Sequence, residues 1–154
     1  MTLFTNGYVN LQTPKDFDPI PNKGDFVELS LVNPSIPMTI KFSTAPTAVG
    51  LPDIKNAMEE QFKSNPDINV ETADFIAIND DIYYMVISSI KAEESEIRRN
   101  EFMFVKEDNL YSFEFVYPYA DAELDDFYLN IIRSLDIKKA KYVLCDGGYK
   151  INEN

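Results

Sequence analysis

Apolar and polar side chains alternate along much of this chain, and a period of two is typical of β-strands with one buried face. Residues 82–90 are apolar on both sides, as in a strand at the centre of a sheet. A shorter strand is expected at residues 8–11, within a first segment rich in turn-forming residues. The alternation itself predicts strands over residues 26–32, 38–43, 68–78, 97–106 and 110–117.

Two segments instead carry their apolar residues at the spacing of an amphipathic helix. In the first, residues 51–64, Pro52 and Asp53 favour the helix start and Pro66 ends the run. In the second, residues 121–135, acidic residues precede the apolar stripe and Arg133 lies near its end, which suits the helix macrodipole. The apolar positions are Leu51, Ile54, Met58 and Phe62 in the first helix, and Leu124, Phe127, Tyr128, Ile131 and Leu135 in the second.

The order of these elements, β-β-β-α-β-β-β-β-α, indicates an α+β fold. Consecutive hairpins predict a largely antiparallel sheet of about six or seven strands, with the two amphipathic helices packed on it. We expect residues 1–138 to form a single domain and residues 139–154 to form a short C-terminal extension. No β-α-β alternation or glycine-rich turn indicates a nucleotide-binding fold.

Charged and turn-forming residues separate the later strands. Asn79-Asp80-Asp81 predicts a hairpin turn, because Asn and Asp tolerate the left-handed backbone found there. The charged residues 91–96, beside Arg98 and Arg99, are interpreted as a solvated loop.

The hairpin of residues 97–117 is apolar on both of its faces. A two-residue turn at Asp108-Asn109 would set Phe104 opposite Phe113 and Phe102 opposite Phe115. We interpret this aromatic face as core beneath the helices, with a groove for an apolar partner as the alternative. Because the two helices are expected to cover one sheet face only, the other face would remain as a binding surface. Its expected partner-binding residues are Met103, Val105, Leu110 and Val116.

Acidic residues outnumber basic residues by 26 to 14, which gives a net charge of −12. Phosphate backbones and anionic lipids would repel such a chain, so we expect neither nucleic acid binding nor direct membrane insertion. No run approaches the roughly 20 apolar residues that cross a bilayer, and the first residues show no leader pattern. We therefore expect a cytoplasmic protein whose partner is another protein.

Histidine is absent, and Cys145 is the only cysteine. Ser-His and Cys-His nucleophile pairs are therefore excluded, as are the usual zinc sites of nitrogen and sulfur ligands. The acidic pairs Asp80-Asp81 and Asp125-Asp126 are interpreted as turn and helix-start residues. We predict no catalytic residue, no metal site, no cofactor and no enzymatic activity. A pair of carboxylates or tyrosines brought together by folding is the remaining enzymatic hypothesis.

The element order and one terminal segment resemble a known family. After a turn-rich start and the paired strands at residues 25–31 and 38–42 come a helix, a four-strand meander and the closing run Phe127-Tyr128-Leu129-Asn130-Ile131-Ile132-Arg133-Ser134-Leu135. This pattern, over about residues 8–138, resembles the DcrB-like group of the Mog1/PsbP-like superfamily. The resemblance implies an αβα sandwich that binds partners and does not catalyse reactions.

Within that group, chains of this length that begin near Met1-Thr2-Leu3 resemble the cytosolic chaperones of type VI secretion effectors. The resemblance implies a dimeric chaperone or adaptor that holds the apolar transmembrane helices of an effector. An immunity protein that neutralises a cognate toxin is the alternative, because an acidic domain suits a basic toxin.

Overall fold

A seven-stranded antiparallel sheet forms the centre of the computed structural model, which describes residues 1–22, 24–119 and 127–153. Its hydrogen-bonded neighbours are antiparallel throughout, mostly because the chain returns through short hairpins, and this confirms the predicted sheet. In spatial order the strands are β3 (Asp18–Pro19), β4 (Val27–Val32), β5 (Thr39–Pro46), β9 (Asn109–Pro118), β8 (Ser95–Lys106), β7 (Asp81–Ala92) and β6 (Ile68–Ile78).

The remaining elements pack around this sheet. Helix α1 spans Leu51–Ser64, as the apolar spacing predicts. Helix α2 spans Tyr128–Arg133, within the predicted helix 121–135, whose residues 121–126 lie outside the described residues. A three-stranded sheet contains β1 (Thr2–Thr5), β2 (Val9–Thr13) and β10 (Asp136–Ile137), and the predicted C-terminal extension forms a hairpin of β11 (Tyr142–Cys145) and β12 (Gly148–Ile151).

One face of the large sheet, here called the α2 face, carries the aromatic core beneath α2 and β2. Phe102 and Phe115 both lie with their ring centroids about 5 Å from the ring of Tyr128 in α2, at 4.9 and 5.0 Å. Phe104 and Phe113 are buried on the same face. The prediction that these four phenylalanines face a helix is confirmed.

The opposite face, here called the α1 face, has a smaller core of its own. Tyr84, Val86 and Met103 are buried there beneath the apolar stripe of α1. The expectation that both helices cover one face is therefore wrong. Because the central strands are apolar on both sides, burying them requires a helix on each face.

The pairing of β8 with β9 is shifted by two residues from the predicted register. Phe102 lies opposite Phe113 and Phe104 opposite Tyr111, because the turn residues are Glu107 and Asp108. Both adopt left-handed backbone, with φ of 49° and 63°, as a tight hairpin turn requires. Asn109 is instead fully buried, and its side chain both donates to and accepts from the backbone of Tyr142. The even shift leaves every side chain on its predicted face.

The other two hairpins confirm one prediction and correct another. Ile78 pairs with Asp81 around a turn at Asn79 and Asp80, both at positive φ, as predicted. Residues 91–96 do not form a loop, because β7 and β8 continue through them to a tight turn at residues 93–94.

Candidate functional site

The four residues expected to bind a partner all lie on the α1 face, as their alternation along β8 and β9 predicts. Met103 is only 6% exposed and belongs to the core beneath α1, and Leu110 packs against that core. Val105 and Val116 are half-buried. Leu110 and Val116 lie six positions apart in β9, which is about 20 Å of strand. The four side chains therefore do not form one continuous exposed patch, and their role in binding stays a proposal.

Part of the α1 face is left open between those positions. Helix α1 packs on residues of β6, β7 and β8, and none of its own residues is fully buried. Beside it, β8, β9 and β5 form a shallow groove of about 180 Å³, here called the sheet groove. It is lined by Lys41, Ser43, Arg99, Glu101, Met103, Ser112, Phe113 and Glu114.

An ion cluster occupies the centre of the sheet groove. The guanidinium of Arg99 donates from Nη2 to the Glu114 carboxylate at 2.6 Å, and its Nε lies 2.5 Å from Oε1 of Glu101. Cross-strand pairing explains the convergence, because Glu101 lies directly opposite Glu114 and Glu114 directly opposite Lys41. One guanidinium thus holds two neighbouring carboxylates on a sheet surface.

Burial in the groove acts most strongly on Glu101, whose side chain is 12% exposed. Loss of hydration raises the pKa of this carboxyl, and the nearby negative charge of Glu114 raises it further, while Arg99 opposes both effects. Ionisation of Glu101 therefore costs more free energy in the folded protein than in the unfolded chain.

We expect the Glu101→Gln variant to gain stability relative to the unaltered protein as the pH rises. A carboxyl whose pKa is raised by folding binds its proton more tightly in the folded state, so stability falls between the unfolded and folded pKa values and stays lowered above them. Glutamine does not titrate. Urea unfolding of both proteins, from about pH 4 to about pH 8, measures the difference.

Glu60→Gln, which removes a charge from the exposed side of α1, serves as the control. A stability difference between Glu101→Gln and the unaltered protein that stays constant with pH, or shrinks as the pH rises, would contradict this account of the groove.

Sequence reasoning missed the ion cluster, although the required pattern was visible. Arg99 was considered only as a neighbour of the expected loop at residues 91–96, although it belongs to the predicted strand 97–106 and shares the α1 face with Glu101. Its neighbour Arg98 points to the other face, is 9% exposed and pairs with Glu71 of β6. The alternation within the predicted strand 97–106 already places the two arginines on opposite faces.

The other chemical features stay minor within the described residues. No group of three or more Asp, Glu, His or Cys side chains there is arranged to hold a metal ion. Cys145 is exposed in β11. In the described part of the chain, no helix combines the length and the apolar character that a membrane span requires. The predicted absence of catalysis rests on the missing histidine and stays a prediction.

Comparison with known proteins defines the class of this fold. No protein-family model matches the sequence, and no curated protein matches it. Among solved structures, the chain is similar to the cyanobacterial PsbP (CyanoP) of Synechocystis sp. PCC 6803, with a TM-score of 0.68 at 8% identity. That match covers 88% of this chain and 91% of the other. The protein therefore has a Mog1/PsbP-like α+β fold.

Two further structures share this fold. The Ran-binding protein Mog1p of Saccharomyces cerevisiae matches with a TM-score of 0.62 at 10% identity, over 86% of this chain and 92% of that one. The immunity protein TplEi of the Pseudomonas aeruginosa type VI secretion system, solved with an "L" peptide, matches with a TM-score of 0.54 at 12% identity. The match covers 85% of this chain but 59% of TplEi.

Proposed function

We propose that this protein is a non-catalytic module that binds another protein through the α1 face of its sheet. The observation that carries the proposal is the incomplete cover of that face. Helix α1 has no fully buried residue, and the sheet groove beside it stays open. By contrast, the α2 face is closed by α2 and β2 over a fully buried aromatic core.

The chemistry of the groove suits a protein segment better than a small substrate. Its centre is charged, through Arg99, Glu101 and Glu114, while Leu110 and Val116 flank this centre along β9. A partner that offers apolar side chains at the flanks and hydrogen-bonding groups at the centre would match this pattern.

The partner that we propose is a type VI secretion effector, held by its apolar segments, with this protein acting as its cytoplasmic chaperone or adaptor. The resemblance to DcrB-like chaperones supports this assignment. Two proteins of similar fold are described as binding proteins or peptides, namely Mog1p and TplEi. A homodimer, as in those chaperones, belongs to the same proposal.

An immunity protein is the second candidate, and one observation favours it specifically. TplEi has a similar fold and is itself an immunity protein. The net charge of −12 would also steer this chain toward a basic toxin. The two functions differ in which part of the partner is held.

The enzymatic hypothesis of a carboxylate pair would need Glu101 and Glu114 to act as acid and base. The two lie side by side and burial raises the pKa of Glu101, but Arg99 contacts both, and the groove above them is shallow. This arrangement is typical of an ion cluster that is satisfied internally, so it supports the binding function better.

The test takes every candidate type VI secretion effector of the source genome and divides each into its N-terminal apolar region and its C-terminal domain. Each half is co-expressed with the tagged protein, and co-purification is measured. A chaperone retains the N-terminal half, whereas an immunity protein retains the C-terminal half. Retention of neither half would contradict both functions.

A further inference from the structure

Strand β6 presents a long free edge, since of the described strands it pairs with β7 alone. A bulge between Val70 and Thr72 interrupts its first part, where Glu71 is held by Arg98 and by the hydroxyl of Tyr119. From Thr72 to Ile78 the pairing with β7 is regular. This second part, here called the open edge, therefore presents a straight row of backbone groups to an incoming strand.

The opposite edge of the same sheet is protected. There β3 contains only Asp18 and Pro19, and proline has no N–H to offer. Short strands and proline are the usual means of blocking unwanted pairing at an edge. The open edge of β6 carries neither.

On the α1 face, the side chains of the open edge are one large aromatic residue between two small residues. Ala73, Phe75 and Ala77 lie opposite Val86, Tyr84 and Ile82 of β7, so the two small residues flank one large ring. Side chains of an added strand, about 4.8 Å away, would fit beside the two alanines.

An apolar pocket extends from Phe75 of the open edge toward the start of α1. Its walls include Phe75, which is 38% exposed, and Ile82, which is 55% exposed, and its volume is about 540 Å³. Leu51, Pro52, Phe104 and Val105 also contribute to its apolar lining. Val105, which the sequence singled out as a partner-binding residue, thus lines this pocket.

Acidic groups surround the open edge. The backbone N–H of Phe75 donates to the Asp74 carboxylate at 2.8 Å, so an added strand has to replace this bond and would leave the carboxylate for a basic side chain. Asp80 and Asp81 line the pocket, and its lining contains no lysine or arginine among the residues that the structure describes. By its pairing opposite Met85, Asp74 belongs to the α2 face of β6, whereas Asp80 and Asp81 border the apolar pocket itself.

We propose that the open edge of β6 receives an extended segment of the partner as an additional strand, with apolar side chains toward Phe75 and Ile82 and basic side chains toward Asp74. This inference rests on the proposed protein-binding function and specifies the form of the bound segment. Backbone hydrogen bonds supply affinity in such strand addition, and alternate side chains supply specificity.

A second copy of this chain is a poorer occupant. Pairing two β6 edges would bring together two Asp74 carboxylates and two chains of net charge −12. A basic partner segment removes this repulsion, so charge complementarity selects it.

The test uses a synthetic peptide, acetyl-Lys-Val-Lys-Val-Lys-Val-Lys-amide, and its twin with Glu in place of each Lys. Titration is followed by NMR, together with hydrogen exchange of the backbone amides of Ala73, Phe75 and Ala77. We expect the basic peptide to bind at least about tenfold more tightly than the acidic twin. Exchange at these three amides should slow when the peptide is bound.

One variant tests the pocket, and a second variant is its matched control. Ile82→Ser should weaken binding of the basic peptide about fivefold to tenfold, because it removes an apolar wall. Ile151→Ser, which alters a similarly exposed isoleucine of β12, should leave binding unchanged. Sedimentation of the protein alone should show no association that Ile82→Ser abolishes.

Three results would overturn the inference. These are equal affinity for both peptides, amide protection confined to other strands, and self-association through the β6 edge. Its failure is separable from failure of the proposed function, because an effector half retained equally by Ile82→Ser and the unaltered protein would leave protein binding intact.

Discussion

Replacing Phe102 by alanine is expected to lower the free energy of unfolding by about 3–5 kcal/mol, the usual cost of removing a fully buried phenylalanine ring. Phe102 has no exposed surface and lies against the rings of Tyr128 and Phe115. The loss combines removal of the ring with the cavity that remains in a close-packed core. Urea unfolding measures it.

Phe75→Ala is the matched control, because it removes the same side chain from a site that is 38% exposed on the edge strand. It should cost about 1 kcal/mol. Equal costs at the two positions would mean that Phe102 does not lie in a core between the sheet and α2.

Replacing Met103 by aspartate should be as damaging as the change at Phe102, although the two residues face opposite sides of the sheet. Met103 is 6% exposed and packs with Tyr84 and Val86 beneath α1. Truncating such a side chain costs about 2–5 kcal/mol, and a buried unpaired carboxylate adds to this cost. Thermal unfolding followed by circular dichroism measures the loss.

Val116→Asp on the same face is the control for this change. Val116 is half-buried and lies in β9, opposite Thr39 and Arg99, away from the core beneath α1. We expect this variant to stay folded and to bind its partner less well. A stable Met103→Asp variant would show that α1 does not form a core on the sheet.

Most of the sheet could be predicted from the sequence, because alternation fixes both a strand and its faces. Helix α1 and strand β6 have the predicted bounds. Hairpin pairing was less accessible, since it depends on a single turn. Asn109 looked like a turn residue, but its buried side chain binds the backbone of Tyr142, far along the chain.

The sequence predicted which sheet face carries the candidate site, but it did not predict which helix covers that face. Alternation placed Met103, Val105, Leu110 and Val116 on one side of the sheet. Which helix covers which face follows from the path of the chain through α1, which local periodicity does not encode. Likewise, the convergence of Arg99, Glu101 and Glu114 depends on the register between β8 and β9.

The measurement that tests protein binding at the α1 face most directly is methyl NMR of the protein with and without the retained effector half. Methyl signals of Val105, Leu110 and Val116 on the α1 face should shift on binding. Those of Ile131 and Ile132, buried in α2 against the other face, should stay unchanged. Shifts confined to the α2 face or to Ile151 of the C-terminal hairpin would contradict the account.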